Sequence, residues 1–167
     1  AFHWFSFFKA IQETSIALAL LSFASFPFFT LLLEGMLFRK ALRRMDWILV
    51  FVSFMGTSLI VPWDIQAPGF IGIIWGLLSG LSFALLAILN RKLVKGHDAI
   101  EVAFYQDLFA CLLLSPFVFE DLNQASLLDW QLLILLGTVF TALSHSLFID
   151  SLKHIRARTA ALIAALE

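Results

Sequence analysis

The chain has 167 residues, of which 61% are hydrophobic and 14% are charged, and its formal net charge is -1. A water-soluble domain is nearer half apolar and a quarter charged, so this composition excludes that class. Nucleic-acid binding is also disfavoured, because it calls for a strongly basic face. We therefore expect the chain to lie in a lipid bilayer.

Five apolar stretches approach the length of about 20 helical residues that crosses a bilayer. In chain order they occupy residues 15–38, 47–61, 70–90, 101–119 and 130–150. The second is only marginally long enough. The end of another helix precedes them, up to Ile11, and the start of one more follows from Ala157. The predicted fold class is all-α, a polytopic transmembrane helical bundle.

The basic residues predict how the helices are oriented. All but Lys9 lie in three clusters on alternate connections, and cytoplasmic loops are enriched in Lys and Arg. We therefore expect these clusters to face the cytoplasm: Arg39, Lys40, Arg43 and Arg44; Arg91, Lys92 and Lys95; Lys153, Arg156 and Arg158.

An internal repeat accompanies this alternation. A shift of 141 residues lays the segment that begins at Phe7 over the one that begins at Phe148, with further matches such as Ala19 with Ala160. The chain crosses the membrane five times between equivalent points, so the two copies must run in opposite directions. Inverted repeats of this kind are typical of secondary transporters, whose substrate sites lie near the membrane midplane.

The stretch 130–150 carries Thr138, Thr141 and His145 on one predicted helix face. A histidine within hydrocarbon is costly and usually faces a bundle interior or a water-filled cavity. We interpret these residues as candidates for lining a substrate pathway. The alternative for His145 is a neutral imidazole that is hydrogen-bonded to a neighbouring helix.

Tyr105, Gln106 and Asp107 lie near the cytoplasmic start of the fourth stretch. Tyr105 and Gln106 are pathway candidates, because each can hydrogen-bond a ligand without a large desolvation cost. For Asp107 a structural or interfacial role is favoured over a role in transport.

Glu34 is an acidic residue well inside the first stretch, seven residues after Pro27, which is expected to kink its helix. It is a further pathway or proton-coupling candidate. The alternative is an ion pair with Arg39, about one turn away.

Small residues recur every fourth position at Gly72, Gly76, Gly80 and Ala84. This spacing predicts a helix face that packs closely on a neighbouring helix. The alternative is a surface on which helices slide during transport.

Enzymatic motifs for zinc proteases, serine hydrolases and nucleotide binding are not found, so we expect neither an enzyme nor a cofactor or metal site. Cys111 is the single cysteine and is expected to pack in an apolar environment.

The runs FPFFTLLLE, GLLSGLSFALLAILNRKL, AFYQDLFACLLLSPF and TALSHSLFIDSLKHIRARTAALIAALE resemble the EamA-like transporters of the drug/metabolite transporter superfamily. The resemblance implies two inverted five-helix repeats around a central cavity, and export or exchange of small metabolites across a bacterial inner membrane. This chain would then hold an internal part, without the first, second and tenth helices.

On this basis residues 1–62 are the C-terminal part of a first repeat, 63–69 an extracytoplasmic linker, and 70–167 the N-terminal part of a second repeat. The chain departs from the family at Phe38, Arg39 and Lys40, where an acidic residue is common, so no ion-coupling role is transferred there.

The function predicted from these features is secondary transport by alternating access. The expected partners are a small-molecule substrate and, in addition, a coupling proton or ion, while the oligomeric state stays open. A non-transporting membrane scaffold or receptor is the alternative.

Overall fold

The computed structural model describes residues 1–38, 44–60, 69–118 and 125–164, and within these ranges the regular structure is helical with no strand. The α-helices are α1 Phe2–Glu13, α2 Ile16–Phe23, α3 Phe26–Phe38, α4 Arg44–Ile60, α5 Phe70–Leu93, α6 Ala99–Leu114, α7 Leu127–Leu135, α8 Ser144–His154 and α9 Ala157–Ala164. A short 3-10 turn, Ser115–Phe117, follows α6, and a π-helical segment, Leu136–Leu143, joins α7 to α8.

Four stretches of the described chain are long and apolar enough to cross a membrane: Ile16–Phe38, Phe70–Leu93, Ala99–Phe117 and Leu127–His154. They match four of the five predicted spans and confirm the all-α polytopic class. The remaining span, 47–61, corresponds to α4, which has 17 residues and is not among the four. Val61, the last residue of that predicted span, lies outside the described residues.

Contacts divide the chain into two compact units, which we call unit A and unit B. Unit A comprises Phe2–Leu89 and the segment from Arg156 onward, and unit B comprises Asn90–Ile155 with Ala1. These units group residues by contact and not by repeat, so the boundaries 1–62, 63–69 and 70–167 stay a prediction.

In unit A the glycine face of α5 meets the α1–α2 region at very short range. A Cβ atom on Gly72 would lie 2.6 Å from Cγ2 of Thr14, and one on Gly76 would lie 2.5 Å from Cβ of Ser22. Real Cβ atoms do not approach other heavy atoms this closely. The two glycines therefore allow a separation between helix backbones that any larger residue would prevent.

The first membrane-length stretch is interrupted at Ala24 and Ser25, just before Pro27, as its sequence predicts. Proline has no N–H, so Pro27 leaves the carbonyl of Phe23 without its helical donor. Gly80 of α5 lies against this break: its Cβ would be 3.0 Å from the Phe23 carbonyl oxygen and 3.0 Å from Oγ of Ser25. The absence of a side chain at Gly80 thus leaves room for the backbone of the helix break.

Two further residues anchor α5 within unit A. Ala84, the fourth small residue of the face, is fully buried. Ser79 is also fully buried and donates its hydroxyl to the carbonyl of His3 at 2.8 Å, which ties α5 to α1.

In unit B, α6 packs against the π-helical segment and α8. Asp98 caps the start of α6 by accepting the N–H of Ile100 at 2.8 Å. Ser126 and Asp129 form a reciprocal capping box at the start of α7. Both helices begin at residues whose side-chain oxygens satisfy backbone N–H groups that would otherwise lack partners.

The π-helical segment changes the helical register directly before His145. Hydroxyls along this stretch donate to carbonyls of the preceding turn, from Thr138 to Ile134 at 2.7 Å and from Ser144 to Phe140 at 2.6 Å. Such back-bonding bends helices, and π-helical turns occur frequently at functional sites. The segment therefore helps to set the direction in which α8 presents His145.

Candidate functional site

The central feature of unit B is a contact between ionisable side chains on two helices. Nδ1 of His145 on α8 lies 3.0 Å from Oδ1 of Asp107 on α6. The side chains are 11% and 27% exposed, respectively. Ionisable groups inside a membrane helix are energetically expensive and usually mark a substrate or ion pathway.

The partner of one imidazole nitrogen determines the chemistry of the other. A neutral imidazole has one N–H donor and one acceptor nitrogen, and the contact with Asp107 engages Nδ1. The second ring nitrogen, Nε2, takes no part in that contact. This nitrogen is buried and has no hydrogen-bond partner among the described residues. The pair thus leaves one buried ring nitrogen open to a further hydrogen bond.

A second polar pair lies next to the first along α6. Gln106 and Asn90, at the end of α5, exchange two amide hydrogen bonds: Asn90 donates from Nδ2 to Oε1 of Gln106 at 3.2 Å, and Gln106 donates from Nε2 to Oδ1 of Asn90. Asn90 is 1% exposed. The adjacent positions Gln106 and Asp107 thus bond two different segments of unit B, the C-terminal end of α5 and α8.

The other pathway candidates in this unit are placed differently. Tyr105 is 61% exposed and makes an edge contact with Phe104, its neighbour in sequence. Thr138 is exposed and its hydroxyl bonds within its own helix. Thr141 is half-buried, one turn before His145. Gln106 thus directly precedes the residue that contacts His145, while Tyr105 and Thr138 lie on exposed surface.

Glu34 belongs to unit A, where a half-buried arginine lies near it. Nε of Arg158 on α9 lies 3.9 Å from Oε2 of Glu34, and Nη1 of the same arginine donates to Oδ2 of Asp46 at 2.6 Å. All three side chains are at most 15% exposed. The ion pair expected with Arg39 involves a residue outside the described ranges.

Three members of these clusters were not among the predicted site residues. Asp107 was assigned a structural role, and Asp46 and Arg158 were not considered as partners of Glu34. Each of them contacts a residue that is far away in the sequence: Asp107 lies 38 positions from His145, and Asp46 lies 112 positions from Arg158. The sequence signal that could have identified these residues is a charged side chain near the end of an apolar segment, because burying a charge there costs free energy.

Within the described ranges, no group of three or more His, Cys, Asp or Glu residues has an arrangement that could hold a metal ion. Cys111, which was expected to pack inside the protein, is exposed. An exposed thiol on a membrane helix can pack against lipid as a small apolar group.

The model of the EamA-like transporter family matches residues 70–167, which is more than half of the chain. A relative from Bacillus subtilis, named an uncharacterized transporter, is 28% identical over 99% of this chain and 55% of its own length. The pseudopaline exporter CntI of Pseudomonas aeruginosa is 28% identical over 80% of this chain and 47% of its own length.

The S-adenosylmethionine uptake transporter of Rickettsia bellii is 28% identical over 68% of this chain and 39% of its own length. The chain thus spans between 39% and 55% of the length of these curated relatives. No solved structure shows a significant match. The family match and the four membrane-length helices lead to one conclusion: the chain belongs to the EamA-like transporter family and is an integral membrane protein.

Proposed function

We propose that this chain forms part of a secondary transporter that exports or exchanges a small polar metabolite by alternating access. In this proposal the substrate binds near the membrane midplane, beside His145 and Gln106. The two inverted repeats rock around that site and open it to one side of a bacterial inner membrane at a time.

The observation that carries the proposal is the partly buried His145–Asp107 pair on two membrane-length helices. Polar side chains with a purely structural role are expected to satisfy each other fully, as Asn90 and Gln106 do. His145 instead keeps one buried nitrogen without a described partner. A buried ring nitrogen of this kind is suited to reversible ligand binding.

The names of the relatives support transport but not a direction. One is a pseudopaline exporter and another is an S-adenosylmethionine uptake transporter. Because these names differ in both substrate and direction, neither is carried over to this chain. The substrate class must come from the chemistry of the site itself.

The test is flux into proteoliposomes that contain the full chain. Amino acids, nucleosides and sugars are each screened as radiolabelled pools, with and without an imposed proton gradient, against protein-free liposomes. Saturable uptake of one pool is the expected result. If well-folded protein moves none of them, the transporter proposal fails and a membrane scaffold or receptor becomes the better interpretation.

A further inference from the structure

We propose that Arg158, Glu34 and Asp46 form a cytoplasmic latch, an ion cluster that closes the cytoplasmic side of unit A and separates when that side opens. Arg158 lies in the predicted second repeat, and the two carboxylates lie in the predicted first repeat. The inference rests on the proposed alternating access and goes beyond it, because it names a contact that must break and re-form in each cycle.

The three residues lie near helix ends that are predicted to face the same compartment. Glu34 is one turn before the end of α3, Asp46 is in the first turn of α4, and Arg158 is in the first turn of α9. The connections at these ends carry two of the basic clusters, which predict the cytoplasmic side. The ion cluster is therefore expected near the cytoplasmic surface and away from the membrane midplane.

Arg158 connects α9 to two helices of the predicted first repeat. Its Nη1 donates to Oδ2 of Asp46 at 2.6 Å, and its Nε lies 3.9 Å from Oε2 of Glu34. The planar guanidinium presents several donors in a fixed fork, which lets one side chain engage two carboxylates. A single residue of α9 thus contacts both α3 and α4.

The burial of these charges points to a role besides stability. The side chains of Glu34, Asp46 and Arg158 are 9%, 11% and 15% exposed, respectively. Moving charges out of water costs free energy that their mutual attraction offsets only in part, so apolar side chains of similar volume would stabilise the fold at least as well. A contact that must open again gives the buried charges a function that apolar side chains would not serve.

Ion pairs are suited to a contact that opens and closes repeatedly. When the charged groups separate into water, each regains its hydration, which offsets much of the lost attraction. Apolar surfaces that separate into water gain no such compensation, because their exposure is itself unfavourable. The closed state is then specific in its geometry without being too stable to open.

The buried face of α9 beside Arg158 consists of small side chains. Within the described length of this helix the buried residues are Ala157, Ala160 and Ala161, and the helix packs against α3. Small side chains let helix backbones approach closely without interlocking. Movement of α9 away from α3 would expose this alanine face to the cytoplasm, and its exposure can be measured.

The test measures access to the alanine face without any substrate. In inside-out membrane vesicles that contain the full chain with Cys111→Ser, a membrane-impermeant maleimide labels Ala161→Cys. We expect Arg158→Gln to raise the labelling rate about tenfold, and Asp46→Asn, which removes only the shorter contact, to raise it less. Lys153→Met breaks an exposed ion pair on α8 and is the control that should leave the rate unchanged.

A second reporter distinguishes an opened latch from general unfolding. Ala19 on α2 is fully buried in the predicted extracytoplasmic half of its span, where its carbonyl oxygen would lie 3.3 Å from a Cβ atom on Gly76. Labelling of Ala19→Cys in right-side-out vesicles should stay unchanged in Arg158→Gln. Unfolding would raise the labelling at both reporters.

If Arg158→Gln unfolds in this way, Asp46→Asn decides, because Arg158 keeps the carboxylate of Glu34. Faster labelling at Ala161→Cys alone supports the latch, and faster labelling at both reporters or at neither overturns it. Since no substrate is present, this result does not depend on the flux screen. Flux of one pool with unchanged labelling at Ala161→Cys would refute the latch and leave the transport function intact.

Discussion

Asp107 on α6 and His145 on α8 are 38 residues apart in the chain and meet at 3.0 Å between a carboxylate oxygen and Nδ1. This contact explains how a histidine can lie on an apolar helix, because the carboxylate satisfies one of its nitrogens. The other nitrogen, Nε2, is buried and has no hydrogen-bond partner among the described residues. The predictions below test the packing, the polar pairs and the orientation that support this site.

The amide pair of Asn90 and Gln106 should be strongly coupled. Gln106→Leu leaves a buried amide without its partner and should lower the free energy of unfolding by about 1–3 kcal/mol. Asn90→Leu should do the same, while the double variant should cost less than the sum of the two. Chemical denaturation in detergent micelles measures the four states of this cycle.

Thr138→Val provides the control for that cycle, because Thr138 is exposed and bonds only within its own helix in the described structure. Its effect should stay within about 0.5 kcal/mol. Strictly additive effects of the Asn90 and Gln106 substitutions would contradict the reciprocal hydrogen bonds.

The glycine face of α5 should not tolerate a methyl group. Gly76→Ala places a Cβ atom 2.5 Å from Cβ of Ser22, and the overpacking should cost about 1–3 kcal/mol. Gly56→Ala on α4 is the matched control, because none of the described residues comes within 4 Å of its Cβ position. Thermal unfolding in micelles distinguishes the two, and equal midpoints would argue against close packing at Gly76.

Loss of the half-buried Arg158 of unit A should lower the free energy of unfolding far more than loss of the exposed Lys153. Arg158→Met leaves the carboxylates of Glu34 and Asp46 without this cation and should destabilise the protein by about 3–5 kcal/mol. Lys153→Met breaks the exposed pair with Asp150 and should cost about 0–1 kcal/mol. Comparable losses in the two variants would show that the Arg158 cluster contributes little.

The orientation predicted from the basic clusters is open to direct labelling. Cys111→Ser removes the single native cysteine, and Asp64→Cys and Gly96→Cys then introduce one thiol on each predicted side. In intact cells a membrane-impermeant maleimide should label position 64 and should reach position 96 only after lysis. The reverse pattern would invert the topology.

The sequence predicts the membrane spans well because a bilayer imposes a length and an apolar composition on each helix. It also predicts the break near Pro27, since the missing N–H acts on the carbonyl four residues earlier in the same helix. These features are local. A single stretch of residues carries all the information that they need.

Partners across helices could not be predicted in this way. Nothing in the residues around Asp107 indicates that His145 lies against it, and the same holds for Arg158 and Asp46. The π-helical segment is also missed, because a change of hydrogen-bond register depends on how the helix packs and not on one residue type. As a result Thr138 and His145, expected on one face, differ in burial.

The most direct measurement of the central claim is saturable flux of one substrate pool into proteoliposomes that contain the full chain. The account predicts uptake that saturates with substrate concentration in the wild-type protein, falls strongly in His145→Leu and is kept in Ser146→Ala. Equal uptake by wild-type protein and a well-folded His145→Leu variant would contradict it.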